Sequence, residues 1–204
     1  MRVRIKFCGM TRREDLLAAS DLGADSVGLV FVPGTPRFLD LARARELLRG
    51  CPPLISRVGV FADEDPMRVR RIRDELGLSA VQLHGSESPG LCATVGGPLI
   101  KVFRVSEGWD SRALDRYDCE ACLLEAAPSG AGGKAPFDWE RFRGGFPGRR
   151  VILAGGLTPQ NVANAVRVVR PYGVDVSRGI ESAPGVKDPS LMEGFLQAVR
   201  EAER

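Results

Sequence analysis

Ile55-Ser56-Arg57-Val58-Gly59-Val60-Phe61 has strand character, and the segment after it carries the marks of a complete helix: Asp65-Pro66, then Val69, Ile72 and Leu76, then Gly77. The three apolar residues recur at i, i+3 and i+7, one stripe of a 3.6-residue period. Asp65 places a capping side chain ahead of a proline at the first helical position. Gly77 falls where a left-handed residue ends a helix. The stretch reads as one strand–helix unit.

Working outward, the same unit recurs. Strand-like runs stand at Val3–Cys8, Ser26–Phe31, Ala80–His84, Leu99–Phe103, Ala121–Leu124, Arg150–Leu153 and Gly173–Ser177. Helical spacing lies between them, most clearly in Met192, Phe195, Leu196 and Val199. Two weaker helices are expected after Trp109 and after Phe137. Thr158-Pro159 and Asp188-Pro189 repeat the capping pattern, Thr11-Arg-Arg-Glu14 has capping-box spacing, and Gly23 and Gly50 follow helical stretches. Eight strand–helix units in succession predict parallel strands with right-handed crossovers. An open, doubly wound sheet is disfavoured because Cys8-Gly9-Met10-Thr11, and no GxGxxG, follows the first strand. The expected fold is α/β, a single (β/α)8 TIM-type barrel over residues 1–204, near the lower size limit and therefore with short loops. No linker or low-complexity tract interrupts it.

Composition narrows the function. The chain has 204 residues, 44% hydrophobic and 27% charged, and 29 basic against 26 acidic residues leave a net charge of +3. Without a basic block, neither nucleic acid nor a membrane surface is an expected partner. No apolar run approaches the ~18 residues of a membrane span. Met1–Lys6 lacks a signal-peptide core, so a cytoplasmic location is expected. Five cysteines, an odd number, argue against a disulfide framework. Cys119-Glu-Ala-Cys122 has the spacing of a redox pair or of half a zinc site, but Leu123 and Leu124 continue an apolar strand, which favours strand filler. With His84 the only histidine, a metal cluster is not expected.

In such a barrel the chemistry sits at the C-terminal strand ends. Gly155-Gly156 after the seventh strand and Ser177-Arg178-Gly179 after the eighth suit a phosphate, which backbone N–H groups and a helix dipole would hold; they also suit plain tight turns. Cys8, at the first strand end near a helix start, is placed for a lowered thiol pKa and a role as nucleophile or base. It reads equally as a small buried hydrophobe. Glu125 ends the sixth strand, where burial would raise its pKa and make it a proton donor; a salt bridge to Lys134 or Arg104 is the alternative. Arg37 is either a guanidinium reaching over the mouth to an anion or a solvated loop residue. Gln82, His84 and Asp175 also leave strand ends towards a substrate.

Taken together, the residues resemble the phosphoribosylanthranilate isomerase family of tryptophan biosynthesis. The likeness runs through Lys6-Phe7-Cys8-Gly9-Met10-Thr11, Gly23-Ala24-Asp25 leading to Gly28-Leu29-Val30-Phe31, Arg57-Val58-Gly59-Val60-Phe61 and Val81-Gln82-Leu83-His84-Gly85. It continues in Phe137-Asp138-Trp139, Leu153-Ala154-Gly155-Gly156-Leu157 with Pro159 and Asn161, and Val174-Asp175-Val176-Ser177 with Gly179 and Glu181. The resemblance implies an Amadori rearrangement of N-(5'-phosphoribosyl)anthranilate, with no metal or organic cofactor. It implies Cys8 as the base, Arg37 as the ligand of the anthranilate carboxylate, and the last two loops as the phosphate site. The partner implied is thus a small phosphosugar–anthranilate molecule, and the chain is expected to act as a monomer or homodimer.

Two positions depart from the family pattern. An aspartate is usual where Glu125 stands, and the extra methylene lengthens the arm by about 1.5 Å, enough to cost on the order of 10²-fold in rate if uncompensated. Either the loop Ala126–Gly133 sits back to accommodate it or activity falls. Arg178 replaces a usually small residue. Competing expectations are a dual-substrate isomerase, a metal-dependent epimerase, and a non-catalytic or altered-specificity phosphate-binding barrel. Cys8 speaks against the first, the single histidine against the second, and retention of Cys8, Glu125 and Arg37 against the third.

Overall fold

The structure, a computed structural model, describes residues 2–106, 108–126 and 139–204. Eight parallel strands form a closed barrel: β1 (Arg4–Cys8), β2 (Ser26–Val30), β3 (Ser56–Phe61), β4 (Ala80–Leu83), β5 (Leu99–Val105), β6 (Ala121–Ala126), β7 (Val151–Ala154) and β8 (Gly173–Val176). Each pairs with the next in chain order, and β1 closes on β8 with Lys6 opposite Asp175 and Phe7 opposite Val176. The order is the one that repeated right-handed crossovers produce. Six α-helices are described: α1 (Arg13–Asp21), α2 (Leu41–Leu48), α3 (Pro66–Leu76), α4 (Pro89–Val95), α5 (Val162–Val169) and α6 (Pro189–Ala202). An antiparallel hairpin, β9 (Glu181–Ala183) with β10 (Val186–Lys187), follows β8.

Several expectations need correction. The two weaker helices are short 3-10 turns, Ser111–Arg116 and Trp139–Phe142. The first buries only Leu114, too little apolar surface to hold a longer helix. The capping box does not form. The Thr11 hydroxyl instead donates to the Gly185 carbonyl, and α1 starts at Arg13 without a side-chain cap. Thr158 likewise does not open α5, which begins at Val162. Asp65 and Asp188 do cap: Asp65 accepts from the amides of Met67 at 2.8 Å and Arg68 at 3.0 Å, and Asp188 from Ser190 at 2.8 Å and Leu191 at 3.1 Å. Strands β5 and β6 run two residues beyond their expected ends, which puts Arg104 and Glu125 within the sheet as register partners.

Alternation along the strands divides the core. Outward residues such as Ile5, Phe7, Leu29, Leu83, Leu124 and Val174 pack with Leu16, Val69, Ile72 and Phe195 from the helices. Each such buried side chain contributes roughly 1.5–3 kcal/mol. Inward residues Val58, Ile100, Val102, Ala121, Leu123 and Ile152 fill the lumen. The same parity carries Cys8, Gln82, Arg104, Glu125 and Asp175 to the C-terminal mouth, because side chains two apart share a face. Among the described residues, no helix is long and apolar enough to cross a membrane.

Candidate active site

A cavity of about 330 Å³ opens at the C-terminal ends of the strands, and residues from all eight strand ends line it. Cys8, Arg37, Gln82, His84, Glu125, Gly155, Gly156, Asp175, Ser177, Arg178 and Gly179 all border this one space, although they are spread over 172 positions of the chain (8 to 179).

Cys8 sits in a charged but dry corner. Its side chain lies beside Gly28 on the neighbouring strand, where an added Cβ would fall 2.6 Å from the sulfur and 3.1 Å from Lys6 Nζ. Glycine at that position leaves room for both groups. Lys6, only 4% exposed, forms an ion pair with Asp175 at 2.9 Å. Burial disfavours the Lys6 charge, but Asp175 and then Cys8 outweigh it and hold its pKa above the ordinary lysine value. The thiol behaves differently from the sequence expectation. Burial pushes the Cys8 pKa up, against the pull of Lys6 and Lys187. The helix start credited with lowering it is five residues away, at Arg13, and in a water-poor corner desolvation of the thiolate prevails.

A second cluster was not read from the sequence. Lys187, from the short hairpin, is almost wholly buried, and its Nζ donates to the carbonyls of Cys8 at 2.6 Å and Ser177 at 3.2 Å and to Glu181 Oε1 at 2.8 Å. Burial lowers the Lys187 pKa despite Glu181. Glu181 in turn accepts both arms of Arg37, Nε at 2.7 Å and Nη2. Burial opposes the Glu181 charge, yet Arg37 and Lys187 keep its pKa below the ordinary carboxylate value. One lysine thus ties the end of β1 to the eighth loop and, through Glu181, orients Arg37. A lysine in the short run Gly185-Val186-Lys187 gives little sign of this, since lysine is almost never fully buried unless paired.

Glu125 also departs from expectation. His84 Nε2 lies 3.0 Å from Glu125 Oε2, and Arg104 Nε lies 3.8 Å from the same oxygen. The hydrogen bond to His84 lowers the Glu125 pKa; burial opposes it, while His84, Arg104 and Arg178 add favourable charge. The expected rise does not occur because the extended β6 brings the carboxyl to the partly exposed rim beside these partners. Of the two salt-bridge partners considered, Arg104 is present, whereas Lys134 and the loop 127–133 lie outside the described residues, as do Phe137 and Asp138.

At the other end of the cavity Gly155 and Gly156 take φ of +86° and +66°. A Cβ on Gly179 would collide with the Leu157 carbonyl, so glycine there lets the seventh and eighth loops touch. Asn161 braces the seventh loop, accepting from the Thr158 amide and donating to the Gly156 carbonyl, each at 2.8 Å. Gln82 Oε1 is buried and has no hydrogen-bond partner among the described residues. Among the described residues, no cluster of three or more His, Cys, Asp or Glu is arranged to hold a metal ion.

A thiol and a carboxyl–imidazole pair bordering a pocket with two glycine-lined loops define a (β/α)8 barrel enzyme for a small phosphorylated substrate. Comparison with known proteins makes the class specific. The family model for N-(5'-phosphoribosyl)anthranilate (PRA) isomerase matches residues 5–198. The N-(5'-phosphoribosyl)anthranilate isomerase of Nitrosococcus oceani is 45% identical, over 98% of each chain. A solved structure of monomers generated from dimeric phosphoribosylanthranilate isomerase of Thermotoga maritima superposes with a TM-score of 0.85 at 37% identity, covering 98% of this chain and 99% of that one. Another, a phosphoribosylanthranilate isomerase in complex with reduced 1-(o-carboxyphenylamino)-1-deoxyribulose 5-phosphate, gives 0.83 at 36% identity, with the same coverage. This chain belongs to the PRA isomerase family of tryptophan biosynthesis, and it is an enzyme.

Proposed function

We propose that the mouth of this barrel converts N-(5'-phosphoribosyl)anthranilate to 1-(2-carboxyphenylamino)-1-deoxyribulose 5-phosphate, with Cys8 as general base and Glu125 as general acid. The observation that carries this reading is that thiol and carboxyl border the same cavity, each with a cationic or proton-sharing partner. The loops Gly155-Gly156 and Ser177-Arg178-Gly179 would hold the phosphate, and Arg37, already oriented by Glu181, would take the anthranilate carboxylate.

Glu125 in its protonated form, held in place beside His84, is the proton source. The anionic substrate, together with expulsion of water, raises the carboxyl pKa once the site is filled. Proton transfer to the furanose oxygen then opens the ring to a Schiff base. Cys8, as thiolate stabilised by Lys6, removes the C2' proton, and the resulting enolamine tautomerises to the ketone. Gln82 Oε1 and the Asp175–Lys6 pair would meet substrate hydroxyls. No step asks for a metal or organic cofactor. The enzyme is proposed to work as one domain over residues 1–204, as a monomer or homodimer, in the cytoplasm.

The test is incubation with freshly prepared phosphoribosylanthranilate, following the loss of anthranilate-type fluorescence together with appearance of the ketose. Fluorescence loss and ketose formation at enzyme-like rates support the reading; no turnover by folded protein that still binds the product would leave a non-catalytic barrel.

A further inference from the structure

Cys119 and Cys122 stand outside the catalytic mouth, at the start of β6 and thus at the opposite face of the barrel. In a fully extended chain, side chains three apart point to opposite faces. Here the chain bends at Glu120 and brings the two sulfurs to 3.6 Å. The backbone on both sides of the bend is pinned. The Glu120 amide donates to the Leu99 carbonyl at 3.0 Å, its carboxylate accepts from the Leu99 amide at 2.6 Å, and the Cys122 amide donates to the Arg150 carbonyl at 2.9 Å. Cys119 is partly exposed and Cys122 is buried behind it. Both are free thiols, and joining them requires the sulfurs to close by about 1.6 Å, a movement within reach of side-chain rotation and a small backbone shift.

We propose that Cys119 and Cys122 form a reversible dithiol–disulfide site, with Cys119 as the attacking thiol, Cys122 as the resolving thiol, and a low-molecular-weight disulfide as the co-reactant. The surroundings of the pair are suited to this division of labour. The Cys122 thiol hydrogen-bonds to Cys119; burial opposes the Cys119 thiolate, but that bond, a backbone bond from Lys101 and the Arg149 charge bring its pKa down to about 7. An attacking thiol is most effective when its pKa is near the ambient pH. Cys122 is held protonated by the same contact and by burial.

The exchange balances as two displacements. Cys119 loses its proton to solvent, and its thiolate attacks one sulfur of the small disulfide. An S–S bond forms to Cys119 while the original one breaks, and the first thiolate leaves and takes up a proton. With the Cys119 charge gone, Cys122 releases its proton, attacks Cys119 Sγ and expels the second small thiol. The protein dithiol is oxidised by two electrons and one small disulfide is reduced to two thiols.

The experiment equilibrates the folded, full-length protein with mixtures of oxidised and reduced glutathione, traps free thiols by alkylation and maps the products by peptide mass spectrometry. The expected product of oxidation is a Cys119–Cys122 linkage, two hydrogens lighter than the dithiol and reversed by excess reduced glutathione. Cys122→Ser should stop at the mixed disulfide on Cys119, and Cys119→Ser should give neither product. In the unmodified protein, Cys119 should alkylate at least tenfold faster than buried Cys92 near neutral pH. Absence of the linkage under excess oxidised glutathione would overturn the proposal. So would pairing of Cys119 with Cys92, or reaction of Cys122 in the Cys119→Ser variant as fast as Cys119 in the unmodified protein. None of these readings depends on the isomerase mechanism.

Discussion

On the β8–β1 side of the barrel mouth, acids and bases are buried and tightly partnered. Lys6 meets Asp175 with side-chain exposures of 4% and 10%, and Lys187 meets Glu181 with 0% and 5%. On the β4–β6 side, His84, Glu125 and Arg104 keep 26%, 33% and 69% of their side chains exposed. The difference sets the two pKa directions. Where water is excluded, the cost of desolvating a thiolate exceeds the help from two lysines, and the Cys8 pKa rises. Where water still reaches, a single hydrogen bond to His84 outweighs desolvation, and the Glu125 pKa falls. The proposed base is therefore placed in a rigid, dry frame and the proposed acid on a hydrated rim.

Removing the two groups should give unequal losses. General acid–base catalysis is worth about 10²–10⁴-fold. Cys8→Ala is expected at the upper end, since no other titratable group of the dry side is free to take its place, while binding of a product analogue stays near normal. Wild-type-like kcat in this variant would remove Cys8 from the mechanism. Glu125→Gln is expected nearer 10²-fold, because His84 beside it retains some capacity to deliver a proton. Glu125→Asp should also slow the enzyme, since withdrawing the carboxyl by about 1.5 Å breaks the contact with His84 on which its position rests. A faster aspartate variant would mean that the glutamate is poorly accommodated.

The contrast between dry and hydrated sides also makes a stability prediction. Lys187→Met strands the buried Glu181 beside Arg37 alone and should cost ~3 kcal/mol, a fall in Tm of roughly 6–12 °C. Arg104→Met, on the exposed side, should change stability by less than about 0.5 kcal/mol. Equal effects in thermal unfolding would erase the distinction.

Arg37→Ala should raise KM about 10–100-fold with a smaller change in kcat, the value of a charged hydrogen bond of roughly 1.5–3 kcal/mol. An unchanged KM would leave Arg37 as a brace for Glu181.

The smallest effect expected is in the pH profile of kcat/KM. On the proposed roles, the reactive form needs Glu125 protonated and Cys8 ionised. With the acid's pKa lowered and the base's raised, the protonated acid fraction falls as pH climbs between the two values, while the thiolate fraction grows by the same factor. Their product is level. Activity should be flat across neutral pH, fall on the acid side below the ordinary carboxyl range, and fall on the alkaline side above the ordinary thiol range. Glu125→Gln should remove the acid-pKa dependence of this profile. A narrow optimum near neutrality would contradict the assignments.

The fold was largely legible because its signals are short-ranged. Short apolar runs of four to seven residues identified the eight strands, and Asp65 and Asp188 reach their capping partners within three residues. Thr11 carried an equally good local signal and went elsewhere, to Gly185, 174 residues away, a contact no local pattern announces. The weaker helices were misread because a few apolar residues at helical spacing do not reveal how little surface is available to cover them.

Strand number, strand order and the strand ends at which Cys8, Gln82, Glu125 and Asp175 stand follow from the amino-acid sequence alone, since strand-like runs and helix signals are written into each segment. Tertiary structure decided the ionisation and the bracing. The pKa of Glu125 depends on His84, 41 residues earlier, and that of Cys8 on burial under the barrel's own closure and on Lys187, 179 residues later. A charge responds to everything within a few ångströms and to the loss of water around it. Neither is defined until the eighth strand has closed on the first.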